Sequence, residues 1–137
     1  MPEQKEVMPY NELKKLFEQK KDVSYDEFKQ LSKSEHHVCS GCLIMDTLEL
    51  LGGKWRMLVI YQLAKRPTYR FGELKKTIPD ITNTMLTTVL KDLENHKIVK
   101  RVQFNEIPPH VEYSLTDKGK ALFPVFYEMA KWAAMNP

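Results

Sequence analysis

The sequence predicts a mainly helical domain with a small two-stranded β-wing, and three observations carry that expectation. Apolar residues recur at helical spacing through four consecutive segments between residues 42 and 96, two short runs at 98–105 and 110–116 alternate with period two, and another helical pattern follows from Thr116. A 137-residue chain with 42% apolar residues also fits one ordinary core plus an extension. There is no internal repeat and no low-complexity tract. No run of about 18 apolar residues occurs, and "MPEQKEVMPYNELKK" has no apolar stretch of the signal-peptide kind, so neither a membrane span nor export is expected. The expected location is cytoplasmic.

The first 38 residues form a helical extension, and residues 39–137 the main domain. Two short patterns lie in the extension: Tyr10 to Lys20, with Leu13, Leu16 and Phe17 inward, and Ser24 to Ser34, with Tyr25, Phe28 and Leu31 inward. Ser24 precedes an acidic first turn and can cap the second pattern. Neither is long enough to be stable alone, so both are expected to pack on the main domain or on a partner subunit, or else to form a loosely ordered arm. "SKSEHHVCSG" reads as a linker.

In the main domain, "CLIMDTLELLGG" places Leu43, Ile44, Leu48 and Leu51 on one helix face and stops at Gly52-Gly53. "KWRMLVIYQLAKRP" is apolar almost all round, through Trp55, Leu58, Val59, Tyr61, Gln62 and Leu63, and is expected to be the core helix. "TYRF" is a short extended piece, and "FGELKKTIP" a third helix ended by Pro79. Residues 82–96 form a fourth. "IVKRVQFN" and "HVEYSLT" are strands joined by "EIPP", a stiff turn. Thr116 opens the last helix, with Pro124 expected as a kink inside it.

The fourth helix is unusual in chemistry. At about 100° per residue, Met85, Leu86, Val89, Leu90 and Leu93 share the core side. The opposite side carries Thr84, Thr87, Thr88, Lys91 and Asn95, and Thr82 is placed to act as N-cap. A face chosen only for solubility would use Glu, Lys, Gln and Ala, which are better helix formers than β-branched Thr. Short hydroxyls, methyls and one cation, with no general base, suit close approach to a DNA major groove.

Charge agrees. Residues 1–38 hold seven Lys and eight acids, a net of −1, while residues 54–101 hold eleven Lys and Arg and four acids, a net of +7. A localised basic region suits phosphate, although a solvated Lys-rich face would look similar. A short helix, a Pro-Asp turn and a polar-faced helix make a helix-turn-helix, and the basic ribbon after it a wing. Arg70, Lys75 and Lys76 then flank the groove over phosphate, Thr82 and Asn83 meet phosphate or base edges at the helix N-terminus, and Arg101 holds the backbone from the wing.

Five quoted segments in order now carry a resemblance: "C-x9-GGKW" at Cys42 to Trp55, "RFGEL" at Arg70 to Leu74, "IPDITNTMLTTVLKDLE" at Ile78 to Glu94, "PPHVEYSLTDKG" at Pro108 to Gly119 and "LFPVFYEMAKW" at Leu122 to Trp132. Over about two thirds of its length the chain resembles the HxlR-type winged-helix transcription regulators, relatives of the MarR regulators. The resemblance implies a homodimer on a roughly palindromic operator in double-stranded DNA, residues 82–96 as recognition helix, residues 101–112 as wing and the last helix in the dimer interface. The last point has its own support, since Leu122, Val125, Phe126, Met129, Trp132 and Ala133 make a stripe too large for a helix that only caps a small domain. Two departures stand out: Lys97 replaces the usual Gly after the recognition helix, and His110 follows Pro109 at the wing tip, where many members carry Arg, so that His110 is the expected DNA contact there, a weaker minor-groove cation than Arg.

Cys42 falls on the family's recurrent N-terminal cysteine, which in some members senses oxidants or electrophiles. It opens a helix whose positive end favours thiolate, and Cys39 stands where it can resolve an oxidised Cys42 as a disulfide. Competing readings are an inert Cys42 with an incidental Cys39, or a zinc site using His36, His37, Cys39 and Cys42, which lacks a second spaced ligand pair. A thiol enzyme has no βαβ pattern around its CxxC. Trp55, Tyr61, Phe126 and Trp132 are either core or the lining of a small-molecule effector pocket between subunits. The expected function is that of a DNA-binding regulator without enzymatic activity or cofactor; the alternative is a winged-helix module that binds an acidic protein.

Overall fold

A computed structural model of the chain describes residues 43–137 together with Glu18 and residues 24–26. Glu18, Tyr25 and Asp26 are helical, and the rest of the two N-terminal patterns, the linker, Cys39 and Cys42 lie outside the described residues. The chain divides into two compact units, Met1–Leu50 and Leu51–Pro137. Helix α1, Leu43–Leu51, ends on the first residue of the second unit, and its Met45 and Leu48 are exposed.

In the second unit the order is α2 (Lys54–Leu63), β1 (Tyr69–Arg70), α3 (Phe71–Thr77), α4 (Asn83–Asn95), β2 (Val99–Phe104), β3 (His110–Leu115), α5 (Asp117–Lys120) and α6 (Phe123–Met135). Gly53, at φ 86°, stands at the N-cap of α2, a backbone angle that glycine takes at little steric cost. The core helix buries one face only: Val59, Ile60 and Leu63 are inside, whereas Leu58 and Tyr61, expected inside, are exposed. Leu51, Leu74, Ile78, Ile81, Leu86, Val89, Leu90, Leu93, Ile98, Val99 and Leu115 complete the core with Tyr69. Met85, expected among them, is partly exposed at the first turn of α4.

The sheet has three strands, not two. Tyr69 and Arg70 pair antiparallel with Tyr113 and Glu112, giving the order β1-β3-β2. Pairing of β2 with β3 runs from Val99↔Leu115 to Phe104↔His110, so the ribbon projects as an extended wing with residues 105–109 at its tip. Ile107 at that tip is 101% exposed. Arg66 lies over the Tyr69 ring at 3.9 Å and its guanidinium meets Glu73 at 2.7 Å, which ties β1 to the start of α3.

The expected kinked terminal helix is instead two helices. α5 ends at Lys120, the chain turns through Ala121 and Leu122, and Pro124 sits in the first turn of α6. There its missing N–H is one of the donors a helix start leaves unpaired anyway, so proline starts a helix here where in mid-helix it would bend one.

Lys97 lies in the left-handed region at φ 60°, ending α4 where the family resemblance leads one to look for Gly. A Cβ in that region costs roughly 1 kcal/mol, part of which glycine loses again to unfolded-state entropy. Lys97→Gly is therefore expected to raise stability by about 0.5 kcal/mol in urea unfolding; a decrease would show that the lysine side chain contributes more than its backbone strain.

Candidate nucleic-acid interface

The helix-turn-helix is α3, the turn and α4. Buried Ile78 and Ile81 anchor the turn on both sides of exposed Pro79 and Asp80. Asp80 takes φ 67°, a conformation that Asp tolerates better than most residues. Thr82 then caps α4 as its sequence predicts: its hydroxyl oxygen accepts from the Met85 N–H at 3.1 Å. Leu86, Val89, Leu90 and Leu93 hold the inner face, and Arg56 of α2 reaches Asp92 at 3.1 Å in a half-buried pair. One face fixed by packing and one ion pair leave the other face rigidly presented.

That face is Asn83, Thr84, Thr87, Thr88 and Lys91, all exposed, with the residues from Thr84 to Lys91 at i, i+3, i+4 and i+7. Two of the hydroxyls are already engaged. Thr87 donates to the Asn83 carbonyl at 2.7 Å and Thr88 to the Thr84 carbonyl at 2.9 Å. The cations differ in the same way. Arg66 is spent on Glu73 and Arg70 approaches Glu73 at 4.0 Å, whereas Lys75, Lys76, Lys91 and Arg101 make no ion pair with another described residue. The field is basic on the helix-turn-helix and on the outer strand of the wing.

At the wing, His110 is not at the tip. It begins β3 with its side chain 15% exposed, stacked on Phe104 at 4.7 Å and flanked by Glu106 at 3.5 Å and Glu112 at 3.4 Å. Phe104 and His110 are register partners, so their rings meet across the ribbon and turn the imidazole into the sheet. Gln103 escaped the sequence reading. It alternates with Arg101 on the exposed strand and lines, with Arg70, Gly72 and Pro109, a cleft between α3 and the wing. Its period-two relation to Arg101 was the available signal.

The apolar stripe of α6 stays uncovered. No residue of this helix is buried; Trp132 is 69% and Met129 50% exposed, Val125 is exposed, and Leu122 before the helix and Phe126 within it are half-buried. Phe126 approaches Tyr61 at 6.3 Å between ring centroids, so the apolar surface continues onto α2. Tyr61 and Trp132 are thus not core residues of this unit. Among the described residues no three potential ligands stand together to hold a metal, and no helix is long and apolar enough to cross a membrane.

The profile of the HxlR-like helix-turn-helix family matches residues 50–137. An uncharacterised HTH-type transcriptional regulator of Halalkalibacterium halodurans is 48% identical over 90 residues, which are 66% of this chain and 80% of the relative. The reduced form of the transcriptional regulator YodB from Bacillus subtilis superposes with a TM-score of 0.63 at 43% identity, over 69% of this chain and 93% of that one. The redox regulator HypR in its oxidised form gives the same TM-score at 38% identity, over 70% and 98% of the two chains.

Proposed function

The chain belongs to the HxlR-like helix-turn-helix family of transcriptional regulators, and from that membership we propose that it acts as a homodimer binding a roughly palindromic operator in double-stranded DNA. The observation that carries this reading is the exposed Thr84, Thr87, Thr88 and Lys91 face of a helix whose other face is buried. Thr82 and Asn83 at its N-terminus meet phosphate or base edges, and Lys75, Lys76, Arg70 and Arg101 neutralise phosphate on either side. The DNA partner agrees with the cytoplasmic location expected from the sequence. Leu122, Val125, Phe126, Met129 and Trp132 supply the dimer contact, whose exposed apolar area supports the assignment. Twofold symmetry then brings two copies of α4 to successive major grooves.

Its signal, on this reading, is an oxidant or electrophile acting at Cys42 with Cys39 as resolving thiol. Support comes from the position of Cys42 in the resembling motif and from likeness to HypR, a redox regulator. Binding of the purified full chain to a random duplex library, with sequencing of retained fragments before and after diamide and again after dithiothreitol, tests both parts. A palindrome lost on oxidation and regained on reduction, with Cys42→Ser indifferent to both reagents, is the expected result. A palindrome that ignores diamide removes the thiol signal, and no enriched sequence would favour the acidic-protein module instead.

A further inference from the structure

A threonine in a groove has three things to offer: a hydroxyl proton, oxygen lone pairs and a methyl group. In α4 the first is already committed at Thr87 and Thr88, to the carbonyls of Asn83 and Thr84. What these side chains present outward is therefore a methyl group and an acceptor. Guanine displays two acceptors in the major groove, O6 and N7, which find no donor here. An A·T pair displays the matching set, a thymine methyl beside the adenine N6 amine; a C·G pair offers an amine without a methyl. No arginine lies on this face, so Lys91 is its one cationic reader of guanine.

We infer that Thr87 and Thr88 specify A·T pairs by contact with thymine methyls, so that each half-site is A·T at the base pairs beneath them. The inference rests on the DNA-binding reading above and adds to it the base chemistry that the helix selects. It follows from the hydrogen bonds the threonines make to their own helix, since a hydroxyl free to donate would not discriminate against guanine.

The test separates this inference from the reading beneath it. Duplexes retained by the full chain from a random library are resynthesised with single thymine-to-uracil replacements, which remove the methyl and leave every base-pairing group. At the positions beneath Thr87 and Thr88 each replacement is expected to weaken binding about fourfold, the factor that corresponds to exposing one buried methyl group. In Thr87→Ser, which keeps the hydroxyl and its carbonyl partner but lacks the methyl, the penalty at one of those positions should vanish while the other persists. Retained duplexes whose affinity is blind to every uracil, or uracil penalties unchanged in Thr87→Ser, would overturn the inference and leave DNA binding standing. A library with no retained duplex would overturn both.

Discussion

Met129→Glu combined with Trp132→Glu is expected to turn the proposed dimer into a monomer without unfolding it. Both side chains project from a helix with no buried residue of its own, so the isolated protomer loses little by their replacement, within about 0.5 kcal/mol for surface positions. In the dimer each is present twice. Burial of four such large apolar side chains contributes roughly 1.5–3 kcal/mol apiece at the upper bound, and the substitutions place four carboxylates in the same interface. A dimer constant weaker by at least about a thousandfold follows, seen as a half-mass species in analytical ultracentrifugation at micromolar concentration. Operator affinity should fall with it, because one α4 reads one half-site and the second half-site no longer adds its contacts. A double variant that sediments as a dimer would remove α6 from the interface, and a wild-type monomer would remove the dimer itself.

Gly119→Ala is expected to be the most damaging single-methyl change in the described domain. The Ile98 carbonyl accepts from the Thr116 N–H at 3.0 Å, the Thr116 hydroxyl donates to the Lys97 carbonyl at 2.5 Å with the Ile98 carbonyl 3.1 Å away, and the same hydroxyl oxygen accepts from the Gly119 N–H at 3.1 Å. This network docks α5 onto the turn that follows α4. A Cβ on Gly119 would run into the Ile98 carbonyl oxygen, and would also crowd Leu115 Cδ2 at 3.2 Å and Ile98 Cγ2 at 3.3 Å. Backbone cannot step aside as a flexible side chain does. Overpacking of this kind costs about 1–3 kcal/mol, or a fall of about 5–20 °C in Tm for a domain of this size. Calorimetry of the variant measures it directly. A Tm within a few degrees of the wild type would mean that α5 shifts freely, and that the Thr116 network does not fix it.

Much of the reading head was visible in residue order alone. The alternation of core and polar positions in α4, the N-cap at Thr82 and the Pro-Asp turn are local features, decided by periodicity and by side chains within a few residues of one another. The two wing strands were equally local. Partner choice was not, and the reading failed where partners decide. Tyr69 and Arg70 are too few to announce a strand, and become one because β3 offers them a free edge. Met85 has the right angle for the core but lies at the first turn, where the helix stands clear of it.

The same division runs through the candidate functional residues. Sequence by itself determined which helix is apolar on one face and hydroxyl-rich on the other, where the basic residues gather and that the last helix carries more apolar surface than one protomer needs. Tertiary structure decided what those side chains have left to give. It turned His110 inward onto Phe104, spent Arg66 on Glu73, left Lys75, Lys76, Lys91 and Arg101 without such an acid among the described residues, and brought Gln103 beside Arg70. The reason is physical. Helical and strand periods are set by neighbours along the chain, whereas exposure and free hydrogen-bonding capacity depend on groups that folding brings from 36 residues away, as with Arg56 and Asp92.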